Sequence, residues 1–188
     1  MLRDMKNRLI FALLGGVLLF IWQFMAWAMP AFHWDSISYT PLQTQLLEAL
    51  DASGLETGMY VLGQPDPAAY AQEGLAEAQM QALEGKGYAR INYIRNYGSD
   101  MVMNMVRGLF VCIIMAYLLH ILLGNIRKDG LKERVLHAVG FGAVFFLFMP
   151  YTNFIWFKEP DIWAYVADAI IPWALLGALS VKFRKAVS

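Results

Sequence analysis

Catalytic signatures are what this chain has least of. It contains no P-loop, no Gly-x-Ser-x-Gly elbow, no His-Glu-x-x-His pair and no dinucleotide fingerprint. Enzymes built on those motifs are excluded, and the expectation is a protein that is not an enzyme. Cysteine is almost missing as well. Cys112 alone excludes an intrachain disulfide, a cysteine-rich metal site and a Cys-x-x-Cys-His haem attachment. It lies in an apolar run with only Arg107 near it, so it reads as a packing residue rather than a reactive thiol. Charge is scarce, at 16% of residues, and 15 basic residues balance 15 acidic ones. That leaves no global basic surface for nucleic acid.

What the chain has is apolar length. Of its 188 residues, 59% are hydrophobic. A mean hydropathy of +0.44 exceeds that of ordinary soluble domains. Four runs are candidate membrane spans: 9–29, 108–124, 135–157 and 162–181. The second becomes long enough if 101–106 extends it across Arg107. A span needs about 20 residues at 1.5 Å each, and it must be helical because lipid satisfies no backbone polar group. The first run has a basic start and an Ala26-Trp27-Ala28 tripeptide, as a secretory leader would. Its apolar length favours an uncleaved anchor.

Charge orients the spans. The N-terminus, the loop before the third span and the C-terminal tail carry Arg3, Lys6, Arg8, Arg127, Lys128, Lys132, Arg134, Lys182, Arg184 and Lys185. Residues 30–100 and 158–161 carry eleven acids against Lys86, Arg90, Arg95 and Lys158. The positive-inside rule puts both termini in the cytoplasm of a bacterial inner membrane and residues 30–100 in the periplasm. The expected boundaries are a cytoplasmic N-terminus (1–8), span one (9–29), a periplasmic domain (30–100), span two (101–124), a cytoplasmic loop (125–134), span three (135–153), a periplasmic loop (154–161), span four (162–181) and a cytoplasmic tail (182–188). Trp27, Trp34, Trp156 and Trp163 fall at the outer ends of spans, where indoles anchor at the headgroups.

Residues 30–100 read as a small domain in the order α-β-α-β. The run 42–52 places Leu42, Leu46, Leu47 and Leu50 on one helix face. Residues 59–62 read as a strand, 68–84 as a helix with Pro67 at its start, and 88–94 as an alternating strand. The fold class is therefore a four-helix membrane protein with a small extracytoplasmic α/β domain inserted between spans one and two.

Asp168 is the most informative residue. A carboxylate inside a span faces a partner, a cavity or a proton path. Arg107 falls at similar depth in the second span, so an Arg107–Asp168 ion pair pinning the second and fourth helices is expected. Gln23 and Asn104 would join that polar layer. Pro172 lacks the N–H that would bond the Asp168 carbonyl. The functional counterpart is a proton or substrate site at Asp168. His120 and His137 lie near the inner ends of spans two and three, and bis-histidine haem ligation would need both at one depth. Two interfacial histidines account for them more simply, and no cofactor is expected. His33 reads as a loop-orienting residue, with ligand or metal binding as its alternative. Met101, Met103 and Met105 suggest copper only in outline, since clustered histidines are missing. Gly15-Gly16, Gly140 with Gly142, and Ala174, Gly177 and Ala178 form flat faces where helices can approach.

The stretch containing Trp22, Gln23, Trp27, Pro30, Phe32 and His33 resembles the first span of a family of uncharacterised small bacterial inner-membrane proteins, with a Trp-x4-Trp-x2-Pro signature ending in a histidine. Residues 58–62 and the stretch from Asn153 and Trp156 to Asp168 are similar too. In this chain Trp34 follows His33, where the family pattern puts tryptophan before the histidine. The resemblance implies four spans with an outer domain after the first, and it implies no activity.

The function expected is a non-catalytic accessory or assembly subunit on a larger respiratory or photosynthetic membrane complex. Its partners would be integral membrane subunits and lipid, with a homo-oligomer as an option. The alternatives are a small homo-oligomeric transporter or channel using Asp168 and Arg107, and a haem-binding electron-transfer subunit using His120 and His137.

Overall fold

The structure, a computed structural model, describes residues 2–29, 32–126 and 130–183. Pro30, Arg127, Lys128, Arg184 and Lys185, which enter the signature and the charge argument above, lie outside the described residues. The chain forms two compact units, one of residues up to Ser38 and from Asp100 onward, the other Tyr39–Ser99.

The first unit is helical. Its helices are α1 (Leu2–Ala28), α4 (Met101–Leu123), α5 (Leu131–Phe148), α6 (Pro150–Phe157) and α7 (Ile162–Ser180), with 3-10 turns at His33–Ser36 and Val181–Phe183. Between α1 and α4 the chain makes the second unit. Four helical segments are long and apolar enough to cross a membrane: Met5–Ala28, Met101–Leu123, Leu131–Phe157 and Ile162–Phe183. The second does run through Arg107, and Asp100 caps it by accepting from the Met103 N–H at 2.9 Å. The third differs from the expected 135–153. It starts four residues earlier, after Gly130, and breaks at Met149 before resuming as α6. Pro150 supplies the physical reason, because it has no N–H to continue the ladder and suits a first helical turn.

The early start of α5 moves Arg134 from the expected loop into the helix. Its side chain is buried, and Nη1 donates to Ser180 Oγ at 3.1 Å and to the Ser180 carbonyl at 3.3 Å. Ser180 Oγ in turn donates to the Gly177 carbonyl at 2.6 Å. A cation thus satisfies the orphan carbonyls at the C-terminus of α7, where the helix dipole is negative.

α1 packs along α4 and α5 along α7, with a lighter α1–α7 contact. Glycines set the close approaches. A Cβ on Gly16 would lie 2.7 Å from the Ile113 Cα, and one on Gly142 would lie 2.3 Å from the Ala169 carbonyl oxygen. One on Gly177 would lie 2.7 Å from the Val135 Cα. Gly140, expected to share the Gly142 face, instead meets nothing within 4 Å, because a two-residue step turns the helix by about 200° and puts the two on nearly opposite faces. The core contains Phe11, Leu19, Cys112, Ala116, Leu119, Leu123, Ala138, Trp173 and Leu176.

The second unit contains α2 (Gln43–Ala52), β1 (Gly58–Leu62), a 3-10 turn (Pro67–Ala71), α3 (Leu75–Leu83) and β2 (Ala89–Tyr93). The strands pair antiparallel, with Gly58 opposite Tyr93 and Leu62 opposite Ala89. The helix expected over 68–84 is cut in two. Gln72 is extended and Gly74 takes φ 74°, a left-handed conformation that ends one helix and opens the next. No residue of α2 is buried.

Candidate functional site

Three pieces of the helical unit converge on one imidazole. The 3-10 turn after α1 carries His33 and Ser36. α1 carries Trp22 and Trp27. Asp161 precedes α7, and Tyr165 and Asp168 follow at i+4 and i+7, so all three share one helix face. Asp161 sits at the N-cap position but its carboxylate makes no capping bond. Its backbone is left-handed, with φ 72°, and the side chain turns to His33 and Ser36 instead.

His33 is fully buried. Its Nε2 lies 3.0 Å from Asp168 Oδ2 and its Nδ1 lies 3.4 Å from Asp161 Oδ2. The Trp22 indole N–H donates to Asp168 Oδ1 at 2.7 Å. The Ser36 hydroxyl donates to Asp161 Oδ2 and lies 2.7 Å from the His33 carbonyl, a second acceptor for the same proton. Trp27 stacks on the imidazole at 4.0 Å with a 7° interplanar angle, and Tyr165 meets it edge-on at 4.6 Å. A neutral imidazole donates from one nitrogen only. In that form it donates to one of the two carboxylates, and Trp27 covers its face.

The carboxylates occupy opposite sides of the ring, so their lone pairs do not converge. Accordingly, no group of three or more His, Cys, Asp or Glu residues is placed to hold a metal ion among the described residues.

The expected Arg107–Asp168 pair is corrected here. Asp168 is engaged by Trp22 and His33, and Arg107 is exposed on α4. The reason lies in the packing, since α4 lies against α1 and barely touches α7. Asn104 is exposed on the same helix. Gln23 belongs to another contact, accepting from the Cys112 thiol at 3.4 Å. His120 and His137 are turned to different surroundings. His120 is buried and stacks on Phe11 at 4.7 Å. His137 is exposed, and its Nδ1 lies 2.6 Å from the Glu133 carbonyl on its own helix. That arrangement does not offer two facing imidazoles to a haem. Of the four anchor tryptophans, Trp34, Trp156 and Trp163 are well exposed, while Trp27 also covers His33.

Trp22, Ser36, Asp161 and Tyr165 belong to the centre without having stood out in the sequence. The Asp161–Tyr165–Asp168 spacing is a signal that could have marked the α7 face. The partner on α1 and the turn carries no comparable pattern.

Beside Asp161 lies an open cleft of about 550 Å³. Phe32, Phe154, Glu159, Pro160, Asp161, Ile162, Trp163 and Ala164 line it. No family model, curated protein or solved structure matches this chain.

Proposed function

We propose that the chain is a non-catalytic accessory or assembly subunit of a larger bacterial inner-membrane complex, with both termini cytoplasmic. The observation that supports this most is the bare third span. Only 17% of its most apolar stretch is buried by the rest of the chain, against 33% for the first and fourth spans. On it, Gly140 leaves a notch that no other described residue fills, whereas Gly15, Gly16, Gly108, Gly142 and Gly177 all meet a neighbouring helix. Small residues on membrane helices let a second backbone approach. Leu136, Val144 and Phe148, at i−4, i+4 and i+8 from Gly140, are exposed with it. The test is affinity capture from native membranes in mild detergent, read by mass spectrometry. Larger membrane subunits at stoichiometric yield, lost in Gly140→Leu, are expected. A clean homo-oligomer would sink the reading.

The second reading is proton-coupled transport at Asp168, with His33 in the place first given to Arg107. The imidazole held between two carboxylates favours it. Against it, the core of this unit is largely apolar, with Phe11, Leu19, Leu119 and Leu176 closely packed and His120 stacked on Phe11. Proton flux in liposomes that disappears in Asp168→Asn would reverse the order of the two readings.

A further inference from the structure

We infer that the cleft beside Asp161 binds a quinol-type ligand: a planar aromatic ring bearing a hydroxyl, dissolved in the membrane. This goes beyond the accessory-subunit reading and does not depend on it. The volume of about 550 Å³ falls in the range of small-molecule sites. Three aromatic side chains, Phe32, Phe154 and Trp163, stand in its lining, and Ile162 and Pro160 add apolar surface. Such walls suit a flat ring through stacking and edge contacts.

Polar chemistry enters at Asp161, with Glu159 the other carboxylate in the lining. Among the described residues both side-chain bonds of Asp161, with His33 and from Ser36, fall on Oδ2. Oδ1 takes neither, and it is the atom left to accept a ligand O–H. Behind it, His33 ties Asp161 to Asp168 and onward to Trp22. The acceptor is thereby held in place by a network rather than free to turn, as a precise polar contact in an apolar pocket needs. A carboxylate acceptor favours a hydroxyl donor over a carbonyl, so the quinol rather than the quinone is the form bound. The cleft lies where α6 ends and α7 begins, at the end of two membrane-length helices, which a lipid-soluble ring can reach sideways. Binding alone is inferred, with no electron transfer.

The full-length protein, purified alone into lipid nanodiscs, is titrated with a short-chain benzoquinol while tryptophan fluorescence is recorded. Saturable quenching is expected, with most of its amplitude lost in Trp163→Phe. The dimethyl ether of the same quinol keeps the ring and loses both O–H donors, and at least tenfold weaker binding is expected. Asp161→Asn should weaken the quinol by a similar factor and leave the ether unchanged. Quenching that rises linearly with membrane loading, or equal affinity for quinol and ether, overturns the proposal. The ether comparison uses the native chain, so it decides the matter even where Asp161→Asn fails to fold. Because no partner is present, a failed subunit capture and a failed quinol site read out separately.

Discussion

The two units of this protein bury their apolar residues very differently. In the helical unit Phe11, Cys112, Ala116, Leu119 and Leu176 are at most 1% exposed. In the unit of Tyr39–Ser99 the buried hydrophobic residues are Ala69, Ala76 and Tyr93, while Leu46, Leu47, Met59 and Tyr70 stay more than half exposed. Long helices with glycine at the crossings let backbones approach and close a core. A two-stranded sheet with helices of 9 and 10 residues encloses too little. The small unit is held instead by point contacts. Tyr93 donates to Asp51, Gln79 accepts from the Asp66 N–H at 2.8 Å, and Arg95 pairs with Glu56 at 2.7 Å. The last pair is exposed and is worth about 0–1 kcal/mol. Helical-unit stability is thus a matter of volume and buried charge, and small-unit stability a matter of single bonds.

The largest break in that contrast is His33→Ala. It leaves the Asp161 and Asp168 carboxylates without the imidazole between them, one 12% and the other 28% exposed. Leaving partly buried carboxylates without a hydrogen-bond partner costs about 1–3 kcal/mol each, with the lower end applying at this exposure. Thermal unfolding in mild detergent, followed by circular dichroism, should show the loss. Asp168→Ala should cost less, since Trp22 and His33 each lose one bond. The double variant should fall short of the two losses added together, because the residues share one network. Strict additivity would show that they do not act as a unit.

A paired substitution sharpens the volume argument. Gly142→Leu drives a side chain into the Ala169 carbonyl and the Trp173 ring, and overpacking of this kind costs about 1–3 kcal/mol. Gly140→Leu, two residues away, meets open space. It should leave the isolated chain as stable or raise stability by up to ~1 kcal/mol through helix propensity. Equal melting shifts for the two would mean that the α5–α7 approach does not depend on Gly142.

How far the sequence speaks follows the same division. Four membrane-length helices were legible because hydropathy over about 20 residues is a long, one-dimensional signal. The order of elements in the small unit was legible from alternation and turn residues, although the left-handed Gly74 that splits the second helix was not. Asp168 stood out because a carboxylate in a span needs a partner. Its partner did not, because Arg107 and His33 are both compatible by depth, and only the pairing of α1 with α4 and of α5 with α7 separates them. Arg134 illustrates the same gap. As a charge count it entered the orientation argument, and as a packed residue it caps α7. Helix pairing is a property of side-chain faces meeting in three dimensions, and a single sequence does not encode it in any local pattern.

The smallest effect expected is in the small unit, at Tyr93. Its phenol is held above the ordinary value of 10.0, first by the hydrogen bond it donates to Asp51, then by burial and by the Asp51 charge. A raised folded value means that the folded state holds the proton more tightly than the unfolded state does. The contribution is therefore complete below about 10 and disappears as pH rises through the folded value. Absorbance near 295 nm follows phenolate formation across the 9 tyrosines, and Tyr93 should titrate later than free tyrosine. Tyr93→Phe should remove a late step and leave the melting of the helical unit where it was. An unchanged titration curve in Tyr93→Phe would mean that the Asp51 bond does not persist in solution. The small unit would then rest on its backbone pairing and its exposed contacts, and its two strands should exchange amide protons far faster than α1 or α7.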